Sequence, residues 1–88
     1  RLQPIRLVGD GPMPFIACIK PAADGNGTIV RLYNPTDQKW EGRIETDLPL
    51  FNVRGCDLLE NATTKPRISK SGWPAKLNPK SIGTWRFN

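Results

Sequence analysis

General acid or base work needs two ionisable groups held together in a cleft, and the carboxylates of this sequence do not suit it. Asp10, Asp24 and Asp37 fall in turn-forming stretches, and Glu41 and Glu45 lie on the polar side of an alternating segment, where solvated carboxylates belong. Ser69, Ser71 and Ser81 are candidate nucleophiles, yet the chain has no histidine to activate them. The same lack removes histidine metal ligands and a histidine pH switch. Two cysteines, Cys18 and Cys56, fall short of the three ligands a zinc site requires, and their spacing fits no redox pair. They read as two small buried apolar side chains, with a bridge between them the alternative. Gly9-Asp10-Gly11-Pro12 is the nearest approach to a phosphate loop, and no helix follows it to receive a phosphate. The chain by itself reads as non-catalytic, with no cofactor of its own.

Binding chemistry has more material. Net charge is +5, from 13 Lys and Arg against 8 Asp and Glu, and Lys65-Pro66-Arg67-Ile68-Ser69-Lys70 forms a basic run with Lys76 and Lys80 after it. Three tryptophans beside such a run raise single-stranded nucleic-acid binding by stacking. Against it, Trp40 and Arg43 fall on opposite faces of the best strand, whereas a stacking platform interleaves them on one. A sugar-binding platform is the other class. Trp40 and Trp85 sit where alternation calls for core residues. Trp73, between Gly72 and Pro74, reads as a loop residue that covers an end of the domain, packs on a neighbouring domain or meets a ligand. Trp73, Lys70 and Lys76 are therefore the candidate contact residues. The Asn26-Gly27-Thr28 and Asn61-Ala62-Thr63 tripeptides matter only in a eukaryotic secretory compartment.

The elements that carry these residues are strands. Eighty-eight residues make one domain, and the longest stretch without Gly or Pro, from Cys56 to Lys65, is shorter than the average helix of about 11–12 residues. Trp40 to Thr46 alternates Trp40, Gly42, Ile44 and Thr46 with Glu41, Arg43 and Glu45, the signature of a half-buried strand. Thr28 to Tyr33 is β-branched and aromatic, and the Asn34-Pro35-Thr36-Asp37 turn predicts a hairpin between the two. Phe15 to Lys20 joins Thr28 through Asp-Gly and Asn-Gly, which extends the hairpin to a three-stranded meander. Leu50 to Leu59 predicts a strand bulged at Gly55, and a short strand is expected around Ile68. Trp73 to Pro79 reads as an edge segment or loop. Ser81 to Phe87 is the last strand, with Ile82, Trp85 and Phe87 inward. Residues 1–14 form a first edge strand or a linker from a preceding domain, and 15–88 form the domain itself. The sum is an all-β fold, a small antiparallel β-sandwich, immunoglobulin-like or related, of about six to seven short strands.

Several of these pieces coincide with one family. Ile19-Lys20-Pro21, the turn Asp24-Gly25-Asn26-Gly27, Arg31-Leu32-Tyr33-Asn34-Pro35-Thr36, Cys56-Asp57-Leu58-Leu59-Glu60 and Ile82-Gly83-Thr84-Trp85 together resemble the C-terminal β-domain of glycoside hydrolase family 38, the α-mannosidase family. Ser81 stands where that family often has an acidic residue, and Ser71 to Pro74 is irregular. The resemblance implies a terminal module that braces an α-mannosidase-like enzyme in mannoside hydrolysis. Its partner would be the catalytic domain of a parent chain, which holds the family's zinc ion and catalytic Asp. No catalytic or metal-binding residue carries over to this chain. A stand-alone carbohydrate-binding module that takes oligosaccharide is the alternative, and a nucleic-acid binder a weaker one. The chain begins at Arg1, as an excised domain would. Neither an apolar span for a membrane nor a signal-peptide centre is seen, so a cytoplasmic location is expected.

Overall fold

The computed structural model describes residues 5–57 and 62–88. Eight strands run in chain order: β1 (Ile5–Gly9), β2 (Phe15–Pro21), β3 (Thr28–Tyr33), β4 (Trp40–Thr46), β5 (Val53–Cys56), β6 (Ala62–Thr64), β7 (Gly72–Leu77) and β8 (Ile82–Phe87). They form two antiparallel sheets, one ordered β1-β4-β7 and the other β2-β3-β8-β5-β6, packed face to face. Among the described residues no helix occurs. The fold is an all-β sandwich with slightly more strands than the sequence suggests.

Alternation decides what each strand buries. In β4, Trp40, Ile44 and Thr46 point inward and are buried, while Glu41 is exposed. Val30 and Leu32 of β3, Trp73, Ala75 and Leu77 of β7, and Trp85 and Phe87 of β8 complete the inner layer, with Ile5 and Val53 at its margins. Trp73 and Phe87 meet across the sheets, their ring centroids 5.5 Å apart and their planes tilted by 41°. Trp40 needs glycine neighbours. A Cβ on Gly42 would run into the Val8 carbonyl oxygen and come within 2.5 Å of the Trp40 ring. Its register partners are Gly9 and Ala75, so the three strands of this sheet leave a shallow row into which the indole fits.

Asn34 joins the layers. It is 1 % exposed, and each hydrogen-bonding group of its amide is used. Nδ2 donates to the Gln38 carbonyl at 2.8 Å and the Asn78 carbonyl at 3.1 Å, and Oδ1 accepts from the Thr36 N–H at 3.0 Å and its hydroxyl at 2.8 Å. Its backbone N–H donates to Ser81 O at 2.9 Å. Thus one side chain fixes the β3–β4 and β7–β8 connections together.

That geometry corrects the meander. β2 and β3 do form a hairpin, closed by Ala22 to Gly27 with Gly25 and Gly27 at φ 80° and 96°. β3 and β4, however, lie in different sheets, because the Asn34 turn is anchored across the gap by Asn78 and Ser81 and does not fold back on itself. Ile82 is likewise outward, 52 % exposed, since it shares parity with Thr84 and Arg86 and opposes that of Trp85 and Phe87. Phe15 and Phe51 are also exposed, at the start of β2 and just before β5. Around Ile68 there is only a bridge between Ser69 and Gly72, and the short strand is instead Ala62–Thr64. The bulge at Gly55 is where the sequence puts it. Residues 58–60 of the Asp-Leu-Leu-Glu segment, and Asn61 of the second sequon, lie outside the described residues. The N-terminal segment supplies an edge strand, with Ile5 to Gly9 paired to Thr46 to Gly42. Both cysteines are free thiols, half-buried where the sequence suggested burial.

Leu32 and Ile44 are fully buried in opposite layers. Leu32→Ala and Ile44→Ala are each expected to cost about 2–5 kcal/mol, read as a lowered midpoint in urea unfolding, and a loss below about 1 kcal/mol would contradict their inward placement.

Candidate functional site

The three residues picked from sequence do not form one site. Trp73 is not in a loop. It lies on β7, wholly buried against Phe87, and offers no ring face to a ligand or a neighbouring domain. The reason is parity. Trp73, Ala75 and Leu77 face inward on this edge strand, and Pro74 and Lys76 face out. Pro74 is tolerated there because its missing N–H points away from β4, the position that an edge strand leaves open. Lys76 is exposed and sits across from Glu41. Lys70 is exposed in the turn before β7, where Ser69 N–H and Gly72 O, and Gly72 N–H and Ser69 O, pair at 2.9 and 3.0 Å. Lys70 and Ser71, the central residues of that turn, have φ of 50° and 62°. A mirror-image two-residue turn demands such angles, and neither residue is the glycine or asparagine that adopts them at low cost.

Two concave regions of the surface bear on binding. The first is an open groove of about 380 Å³ on the flank between β6 and β7, lined by Pro66, Pro74, Ala75 and Trp85, with Lys65 and Lys76 among its other residues. Lys76 is thus the sequence candidate that reaches a concave surface. Trp85, assigned to the core from sequence, does both jobs: it is 7 % exposed and lines the groove. Its parity gives the burial, while the groove is lined by segments far apart in the chain, Thr64 to Pro66 and Pro74 to Lys76, which no local pattern encodes.

The second is an open cleft of about 350 Å³ where the β2–β3 turn meets β5 and β8, lined by Asn26, Asn52, Arg54, Arg86, Phe87 and Asn88. Sequence reasoning missed it because its members come from three separate segments. Arg54 and Arg86 are register partners on neighbouring strands, a like-charge pair. Asp24 offsets it, its carboxylate accepting from Arg86 at 2.7 Å. The Asn26 N–H, donating to Asp24 at 2.9 Å, and then the Arg86 guanidinium hold the Asp24 carboxyl below the usual carboxylate range. Arg86 is raised in turn, chiefly by its hydrogen bond to Asp24.

Neither concavity, among the described residues, sets a nucleophile against a base. Among the described residues no three His, Cys, Asp or Glu side chains converge as a metal site. A protein-family model described as the glycosyl hydrolases family 38 C-terminal beta sandwich domain matches residues 15–85. The chain belongs to that family. No curated protein and no solved structure matches. The family 38 C-terminal sandwich domain is non-catalytic in itself. The matched span runs from the first residue of β2 to Trp85 in β8, so β2, β3, β5, β6 and the first four residues of β8 in the larger sheet, and β4 and β7 of the smaller one, fall within it.

Two measurements check this geometry. Replacing Ser71 by Gly removes the Cβ from a left-handed position and is expected to stabilise the domain by up to about 1 kcal/mol, read as a raised thermal midpoint. A lowered midpoint would mean that the turn does not hold φ positive. For Asp24 the folded-state carboxyl binds its proton less readily than the unfolded one, so its contribution is present above the ordinary carboxylate range near pH 4 and fades on acidification through it. Asp24→Asn should therefore flatten the acid limb of a stability–pH curve and leave the neutral-to-alkaline limb unchanged in shape. An unaltered acid limb would contradict the lowering of the Asp24 carboxyl by the Asn26 N–H and Arg86.

Proposed function

We propose that this domain is the non-catalytic C-terminal module of an α-mannosidase-like glycosidase and braces the catalytic domain of the same polypeptide. The observation that carries the reading is the family 38 match across residues 15–85, on a sandwich in which Asp24, Glu45 and Asp47 are held in surface ion pairs. The zinc ion and catalytic carboxylate of such an enzyme would then belong to the catalytic domain. This chain would supply rigidity and surface. All three indole rings are at most 7 % exposed, which argues against a tryptophan stacking platform for sugar or bases.

The alternative, a carbohydrate-binding module, rests on the Trp85 groove. Titrating the 88-residue chain with mannose, mannobiose and a short single-stranded oligonucleotide while recording tryptophan emission separates the readings. The bracing role predicts no change with any of the three, together with a shortened thermal half-life when the domain is removed from the full-length glycosidase. A saturable saccharide response lost in Lys76→Ala would move the assignment to sugar binding at the groove. An oligonucleotide response that weakens with salt would move it to nucleic acid.

A further inference from the structure

Asparagine side chains lose their amide by an intramolecular route. The backbone nitrogen of the next residue attacks the side-chain carbonyl carbon, and closing a five-membered ring gains from having both partners on one chain. The next residue therefore governs the reaction. Proline has no N–H to give up, a branched Cβ crowds the nitrogen, and glycine leaves it open. In this sequence Asn34 and Asn78 precede prolines and Asn52 precedes Val53, and only Asn26 is followed by a glycine, Gly27.

The fold leaves both reacting groups of that pair uncommitted. The Asn34 amide is buried with every group used, whereas Asn26 is exposed, and among the described residues no hydrogen bond engages its side chain. Its backbone N–H donates to Asp24 at 2.9 Å, so the residue is placed while the amide is free to turn. The turn is closed by the Ala22 N–H to Gly27 O at 3.0 Å and the Gly25 N–H to Ala22 O at 2.9 Å, and neither bond uses the Gly27 N–H. Nor can the fold exchange this glycine for a slower neighbour. Gly27 has φ 96°, and a Cβ there would stand 2.7 Å from the Phe87 carbonyl oxygen, so the turn and the reactive pair come together.

We infer that Asn26 is a site of spontaneous covalent modification, where the chain's own Gly27 nitrogen and water convert the amide to a carboxylate. In the first step the bond from Gly27 N to Asn26 Cγ forms, the Cγ–Nδ2 bond breaks, and the Gly27 proton leaves with that nitrogen as ammonia. Water then opens the ring at either carbonyl, giving aspartate or isoaspartate at position 26. One water is consumed and one ammonia released, with no oxidant, cofactor or second protein. The new carboxylate lies in the cleft that Asn26 lines with Asn52, Arg54 and Arg86, and the net charge falls by one from +5. Arg54, which donates to the Val53 carbonyl at 2.9 Å, gains an acidic neighbour, and the cleft becomes less cationic as the chain ages. This holds whether or not the domain braces an enzyme.

Incubating the folded chain at mildly alkaline pH, with ammonia release and peptide mass mapping as readouts, tests the assignment. Conversion at Asn26 is expected at a rate within about tenfold of that in a free peptide spanning Ala22 to Val30, because the fold holds neither reacting group. Asn34, Asn52 and Asn78 should stay amides over the same period, and the aspartate product should leave a cation exchanger ahead of the parent chain, together with Asn26→Asp. Asn26→Gln, whose longer side chain must close a six-membered ring, should lose the reaction. Conversion in the folded chain slower than in the peptide by more than about tenfold would overturn the inference, since the turn would then be protecting the amide. Modification that began at another asparagine, or ammonia release unchanged in Asn26→Gln, would overturn it as well.

Discussion

A buried primary amide has to find partners for two donors and an acceptor with two lone pairs, or it destabilises the core around it. Asn34 solves this by drawing Gln38, Asn78 and Thr36 onto one side chain, and in doing so decides that the chain changes sheets after β3. The rest of the topology follows from that constraint. Once the β3–β4 and β7–β8 connections share an anchor, β4 and β7 can pair in one sheet while β3 and β8 pair in the other. Lys80 extends the arrangement, its ammonium donating to the Pro35 carbonyl and its N–H to that of Thr36. The sequence segment Arg31-Leu32-Tyr33-Asn34-Pro35, by which the family resemblance is most readily seen, is in physical terms this anchor and the strand that leads to it.

Local patterns were legible where they are local. The bounds of β3 and β4, the Asp-Gly-Asn-Gly turn and the Gly55 bulge each arise within a few consecutive residues, from alternation, positive φ or the lack of a side chain. Asn34 was legible as a turn former and illegible as a tie, because its partners at Asn78 and Ser81 lie more than forty residues away. Trp73 was misplaced for a related reason. Flanked by Gly and Pro it has the look of a loop, yet an edge strand accepts a proline whose missing N–H faces out, and inward parity then carries the ring to Phe87. Ile82 erred the other way, an apolar type at an outward position.

Surfaces were the least legible. Lys76 lies on a groove, but the groove is lined by residues from Thr64 to Pro66, Pro74 to Lys76 and Trp85, and the Arg54–Arg86 cleft by three distant segments.

Strand β8 is the last made of the eight and lies at the middle of its sheet, between β3 and β5. During vectorial synthesis the nascent chain can therefore hold only separate halves, the β2–β3 and β5–β6 hairpins, whose apolar inner surfaces stay unjoined until Ile82–Phe87 has left the ribosomal tunnel. Completion is then a single late event that closes both halves at once. A ribosome stalled a few codons early would leave the domain unassembled and its apolar strands open to chaperones.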